Sequence, residues 1–323
     1  MSKNLSQQVV LDRRGFVAAT FATVAGLGLA GCSDTSAEAD KGSAAGSSKS
    51  SEDTEASTTL DAKAFDKLVD NGPKADDDAI AASTWATAVK DAGVFKIGGV
   101  QTSTLFSLLN EKDGQTRGFD AGIAQLLSNY ILGENKVEIT QVTSDTRESV
   151  LQNGQVDAVF ATYTITDERK KLVSFAGPYY YTQQAILVLA DNDDIKSFED
   201  LAGKTTANSL ASTYMELAES YGATVQGIDT LEETIQLLTA GRIDATLNAD
   251  VSFYDYLNVH PDADFKIVAQ TEDASHVAIP LRKGDDSASL LEAINTAIDE
   301  LRADGTLKEL SEKYFGQDIS SEN

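Results

Sequence analysis

The stretch 161–169, ATYTITDER, closes an apolar run with two hydroxyls, an acidic pair and an arginine. The Thr162 and Thr164 hydroxyls, with the free amides of a helix expected to start near Thr166, form a corner suited to an anion. The helix dipole favours negative charge at that end. Arg169 falls in the first turn of the same helix, where a cation is electrostatically misplaced unless an anion sits close by. Asp167 and Glu168 can be that anion, giving a solvated, self-neutralised helix start. A bound carboxylate can equally be it, giving a ligand site, and on these residues alone both readings stand.

The elements that position this stretch occur twice. LQNGQVDAVF (151–160) and LTAGRIDATL (238–247) share the frame Leu-x-x-Gly-x-Val/Ile-Asp-Ala-x-Phe/Leu, each after an amphipathic run. Gly154 and Gly241 sit where a helix end wants a left-handed residue, and a buried strand follows each. Two lobes, each built on an α/β sheet, are the expectation. Further strands are expected at 94–100, 136–142, 185–190 and 265–270, and helices at 78–93, 119–132, 212–222 and 289–316. Alternating β and α segments argue for mostly parallel sheets, whose ligands bind beyond the carboxyl ends of the strands. Thr162 to Thr164 lie at one such end and Asn248 to Asp250 at the other.

Composition narrows the function classes. With 26 Lys+Arg against 51 Asp+Glu over 323 residues, the net charge of −25 opposes nucleic acid or an anionic membrane surface as a partner. A single cysteine, Cys32, excludes an internal disulfide, and His260 and His276 stand without the neighbours a zinc site needs. No Ser-His-Asp, Cys-His or metal constellation is present, so no cofactor and no enzymatic activity is expected.

The N-terminus VLDRRGFVAATFATVAGLGLAGCSD joins paired Arg13 and Arg14 to an apolar run too short to span a bilayer, ending in small residues before Cys32. It reads as an export signal over 1–31. The arginine pair resembles a twin-arginine signal, and LAGC resembles the lipobox of bacterial lipoproteins, which implies lipidation of Cys32. Loss of that segment takes away Lys3, Arg13, Arg14 and Asp12, moving the net charge from −25 to −27. Residues 32–59, rich in Ser, Ala, Gly and acid, are expected to form a flexible tether, with an N-terminal extension over 60–84.

Taken together, GFDAGIAQLL, LQNGQVDAVFATYTITDERKKLVSFAGPYYYTQQAILV, IKSFEDLAGK and ADGTLKELSEKYFG resemble the polar amino-acid branch of extracellular solute-binding proteins, the receptors of ABC importers. The resemblance covers about residues 95–316. It implies a two-lobe, type II periplasmic-binding-protein-like α/β fold. Lobe 1 would span 85–183 and 277–323, lobe 2 would span 184–276, and two crossing strands would act as the hinge. It implies that Arg169 forks onto the ligand α-carboxylate, helped by Thr162 and Thr164. From the second lobe it implies Ser212 and Thr213 at a helix start, where Ala211 replaces a glycine. The family's ammonium-binding aspartate aligns with Ala249, between Asn248 and Asp250.

Ser144 and Thr104 stand where many members carry aromatics. Arg147 sits in a frame similar to glutamate- and aspartate-binding members, in which such an arginine meets the side-chain carboxylate, while Gln101 replaces a second basic residue. The implied ligand is a polar amino acid, glutamate or aspartate ahead of glutamine, with cystine or another polar amino acid as the alternative. A sensory receptor domain or a dehydratase on the same fold is the more distant one. The implied partners are a permease with its ATPase subunits and the membrane, through the lipid anchor. Two acyl chains are needed for firm anchoring, so Cys32→Ala should release the protein into the soluble fraction or block its processing. Membrane fractionation that leaves the variant firmly bound contradicts the lipobox.

Overall fold

The computed structural model describes residues 61–284 and 287–322. The export signal, Cys32 and the tether lie outside them. The chain opens with helices α1 (Ala62–Asp70), α2 (Asp77–Ala81) and α3 (Thr84–Ala92). The run expected as one helix over 78–93 is two, because Ser83 Oγ accepts from the Ala86 amide at 3.1 Å and starts a new helix. Phe65, Val69, Ile80 and Trp85 are buried in the main core, with Trp85 edge-on to Phe95.

The first lobe continues through β1 (Phe95–Gly99), a small antiparallel ribbon of β2 (Thr102–Ser103), β3 (Ser107–Asn110) and β4 (Gln115–Arg117), and α4 (Phe119–Leu132). After these come β5 (Val137–Gln141), α5 (Arg147–Gln152), β6 (Ala158–Phe160), α6 (Asp167–Leu172) and β7 (Val173–Thr182). The second lobe holds β8 (Gln184–Leu189), β9 (Thr205–Ser209), α7 (Thr213–Ser220), β10 (Thr224–Ile228), α8 (Leu231–Thr239), β11 (Thr246–Ala249), α9 (Asp250–Val259) and β12 (Phe265–Gln270). The chain returns by β13 (Ser275–Arg282) and ends in α10 (Ser287–Ala303) and α11 (Thr306–Phe315). The expected single helix over 289–316 breaks at Gly305, whose φ of 87° is left-handed.

The first sheet has the order β5-β1-β6-β13-β7, parallel from β5 to β6 and antiparallel on both sides of β13. In the second lobe β10-β9 is parallel, β11-β8-β12 is antiparallel, and a parallel bridge from Thr206 to Ala245 joins the two. The sheets are therefore mixed rather than mostly parallel. β8 and β13 are entered straight from the other lobe without a crossover helix, so each runs against its neighbours.

The repeated frame is a repeated structure. Gly154 and Gly241 have φ of 68° and 63°, and each amide donates to the carbonyl of the frame leucine, Leu151 or Leu238. The frame aspartates then clamp the neighbouring strand. Asp157 accepts from the Lys96 amide at 3.0 Å and donates its own amide to Lys96 O at 2.7 Å. Asp244 does the same with Thr205, at 2.7 Å in both directions. Each lobe thus registers a helix, a turn and two strands with one carboxylate.

Where β7 passes into β8, Asp250 gathers the hinge. Its Oδ1 accepts from Thr182 Oγ1 at 2.6 Å and from the amides of Gln183 and Val251, and its Oδ2 accepts from Gln270 Nε2 at 3.0 Å. Among the described residues no helix is long and apolar enough to cross a membrane.

Within the first lobe, Asp120 near the start of α4 is 1% exposed. Its Oδ1 accepts from the Tyr179 hydroxyl at 2.9 Å, and its Oδ2 has no hydrogen-bond partner. Burial outweighs the Tyr179 hydroxyl and the nearby Thr162 amide and raises its pKa to about 7.

Two stability measurements follow from these carboxylates. Asp250→Ala leaves several buried donors without their acceptor and should cost about 2–3 kcal/mol in chemical denaturation; a loss below about 0.5 kcal/mol contradicts the hinge role. For Asp120 the folded pKa is raised above the unfolded one, so the native state holds the extra proton between them. Stability is full below about pH 4 and falls as pH rises towards 7, by up to about 1.4 kcal/mol per unit. Asp120→Asn should flatten that fall in urea titrations, and a variant curve parallel to the wild type contradicts it.

Candidate ligand-binding site between the lobes

β6 delivers the chain to Thr162, whose φ of 49° is left-handed for a β-branched residue and costs of order 1 kcal/mol or more. Thr164 is buried and bridges to Val277 of β13, which fixes the turn against the first sheet. Thr166 then caps α6: its Oγ1 accepts from the Arg169 amide at 3.2 Å and its carbonyl from the Lys170 amide. The amide corner expected to hold an anion is therefore partly satisfied by its own cap. The acidic pair is spent as well, Asp167 on Lys170 at 3.0 Å and Glu168 on Lys171. Arg169 is left to other partners.

Those partners are carbonyl oxygens and an aromatic face. Arg169 Nη1 donates to Thr164 O at 2.9 Å, and Nη2 crosses to the second lobe and donates to Ala211 O at 3.0 Å. Ala211, also left-handed with φ of 55°, precedes Ser212 and Thr213 at the start of α7. Ser212 is buried, and its Oγ neither caps the helix nor meets any other partner.

Arg147 heads α5 and is 3% exposed. Its Nη1 donates to Ala161 O at 2.5 Å and to Thr162 O at 3.4 Å, while Nε has no partner. The guanidinium carbons of Arg147 and Arg169 both lie over the Tyr163 ring, 4.3 Å from its centroid. Burial, with Arg169 adding like charge, lowers the pKa of Arg147 to about 9, and burial also lowers that of Arg169. Arg147 stays protonated at neutral pH, as a guanidinium ordinarily does. Among the described residues no carboxylate forms an ion pair with either.

The structure thus brings Arg147, Arg169 and the turn of Thr162 and Thr164 together around Tyr163, and Arg169 reaches across to Ala211, which precedes Ser212 and Thr213 at the start of α7. Ser144 is half-buried on the approach to α5. Asn248 lies at the end of β11 and turns its Oδ1 onto the Ala249 amide at 2.8 Å. Asp250 faces the hinge, with both oxygens taken. Gln101 donates to Thr116 within the ribbon at 2.9 Å.

Two features go beyond the sequence expectations. One is Tyr163, whose only sequence signal is an aromatic between two threonines. The other is a second link between the lobes, in which Thr104 Oγ1 donates to Asp255 of α9 at 2.6 Å. Burial raises the pKa of Asp255 against that hydroxyl and the Leu105 amide.

Comparison with known proteins agrees with this arrangement. The family model of bacterial extracellular solute-binding proteins, family 3, matches residues 95–317. The chain is 29% identical to the L-cystine-binding protein TcyA of Bacillus subtilis over 250 residues, covering 77% of this chain and 91% of that one. It is 30% identical to the glutamate-binding protein GluB of Corynebacterium efficiens over 223 residues, covering 65% and 75%. Among solved structures, an ancestral arginine-binding protein bound to arginine superposes with a TM-score of 0.63 at 37% identity, over 69% of this chain and 99% of that one. A two-lobe fold joined at β7, β8 and β13 and a family match over the whole of that region have one reading: the chain belongs to the bacterial extracellular solute-binding proteins of family 3.

Proposed function

We propose that this protein is the substrate-binding component of an amino-acid ABC importer, and that its preferred ligand carries two carboxylates, with glutamate or aspartate ahead of glutamine. It would work outside the cytoplasm, close its lobes on the ligand and hand it to a permease coupled to ATPase subunits, held at the membrane by the lipid on Cys32. The observation that carries the ligand class is the pair of guanidiniums, Arg147 buried and Arg169 half-buried, whose hydrogen bonds among the described residues go to backbone carbonyls. Buried cations without counter-charge are costly, and a planar guanidinium is matched by a carboxylate through two parallel bonds. In this reading Arg169 takes the α-carboxylate with Thr162 and Thr164, Arg147 takes the side-chain carboxylate beside Ser144, and Ser212 and Thr213 close from the other lobe. Ser212 Oγ, buried and unpartnered, offers the ammonium an acceptor. Asn248 frames the far wall.

Cystine is the second reading. It too carries two carboxylates, and one relative is named for binding it. A thermal-shift screen of the full-length chain against the common amino acids and cystine separates the two, since ligand at 100 times its Kd adds about 2.7 kcal/mol. Arg169→Ala should then weaken binding of the selected ligand by about 2–5 kcal/mol, below calorimetric detection for a micromolar site. Arg147→Met should reduce a preference for glutamate over glutamine by about tenfold or more. Near-native affinity in the first variant removes Arg169 as the anchor. An unchanged preference in the second moves the ligand to a neutral polar amino acid.

A further inference from the structure

The cationic pair rests on a residue to which no role has yet been given. Tyr163 is buried, between the two threonines of the ligand loop, and both guanidiniums lie over its ring at 4.3 Å. The ring is held on two sides. Its hydroxyl donates to Glu148 Oε2 at 3.0 Å, with Glu148 Oε1 in turn accepting from Gln152, and Phe175 packs against it at a centroid distance of 5.7 Å. Burial, with Glu148 adding to it, raises the pKa of the phenol to about 12, so the hydroxyl remains a donor at neutral pH. Glu148, next to Arg147 in sequence, is thereby occupied by a phenol instead of by an arginine.

We infer that Tyr163 is the positioning residue of the ligand site: its π face holds Arg147 and Arg169 in place by cation–π attraction while leaving their positive charge free for the ligand's carboxylates. A carboxylate in that place would also hold two arginines, but it would neutralise them and compete with the ligand. An aliphatic residue would leave the charges free but unsupported. An aromatic face attracts a cation without carrying net charge, and desolvation strengthens the attraction. The inference rests on the proposed amino-acid site, and it assigns to Tyr163 the affinity that a site of two like charges can retain.

The experiment is calorimetric titration of the full-length chain and its Tyr163→Phe and Tyr163→Met variants with L-glutamate and L-glutamine. Tyr163→Phe keeps the face and loses only the bond to Glu148, so its Kd should stay within about threefold of wild type. Tyr163→Met fills similar space without a π face and should bind glutamate about tenfold or more weakly, with a smaller loss for glutamine. Rescue by phenylalanine is the outcome that a merely space-filling residue does not produce. Should the methionine variant not fold, as judged by its thermal transition, Tyr163→Leu takes its place. Methionine or leucine binding as tightly as wild type overturns the inference, as does phenylalanine losing as much as methionine. If wild type selects glutamine over glutamate, the acidic-ligand reading fails, and the phenylalanine-against-methionine comparison run on glutamine still decides the role of the ring.

Discussion

A buried guanidinium, Arg147, with the half-buried Arg169 over the same ring, makes the constraint to which the rest of the proposed site answers. Desolvating one cation is costly, and a second beside it adds repulsion, so the surroundings must supply negative potential without a competing anion. The protein does this with four carbonyl oxygens and one aromatic face. Ala161, Thr162 and Thr164 contribute three of the carbonyls from a single loop, which accounts for the left-handed backbone at Thr162: the turn aims oxygens at arginines. The fourth belongs to Ala211 in the other lobe and is aimed by a second left-handed residue. Part of the compensation of Arg169 thus comes from the other lobe.

The distribution of carboxylates follows from that constraint. A chain with 51 acidic residues has many to place, and several of those around the proposed site are committed elsewhere. Asp250 ties the hinge, Asp120 is buried under the Thr162 turn, Asp255 links α9 to Thr104, and Glu148 is bonded to Tyr163. Asp157 and Asp244, one per lobe, hold strand starts away from the cleft. The acids give the scaffold its register, and the proposed ligand site keeps its positive charge.

Local patterns were legible in the sequence, and pairings across the fold were not. The strand expected at 265–270 and the helix expected at 119–132 occupy those residues, because each carries its own periodicity and end signals. The duplicated Gly and Asp frame announced two α/β units for the same reason: its glycine turn is local, and the apolar strand that follows needs no partner to be recognised. Strand direction in the second lobe was lost, since an apolar run such as β8 reads alike in parallel and antiparallel sheets. Asp250 was itself one of the expected site residues, but its partners Thr182 and Gln270 come from other strands, and only the assembled hinge shows that its oxygens are occupied. Arg169 was legible as a cation out of place. What resolves that misplacement, Tyr163 and Ala211, lies in three-dimensional proximity.

An acidic protein proposed to capture an acidic amino acid invites the objection that its own field repels the ligand. In physiological salt the Debye length is about 8 Å, so surface carboxylates act on the approaching anion only at short range. Inside the proposed site the balance would reverse, because low dielectric strengthens the pull of Arg147 and Arg169 while Glu148, Asp120 and Asp250 are bonded to hydroxyls and amides. The links between the lobes that involve Arg169 and Thr104 are single hydrogen bonds, each worth of order 1 kcal/mol net, and bonds of that size leave closure easily biased. On the proposed reading a carboxylate on Arg169 would sit beside the bond to Ala211 O, and any free energy it added to a closed arrangement would shift the population by its differential affinity for the two arrangements and no more. A ligand able to reach both arginines at once would then draw closure and selectivity from the same contacts, whereas one reaching Arg169 alone would leave Arg147 buried without an anion.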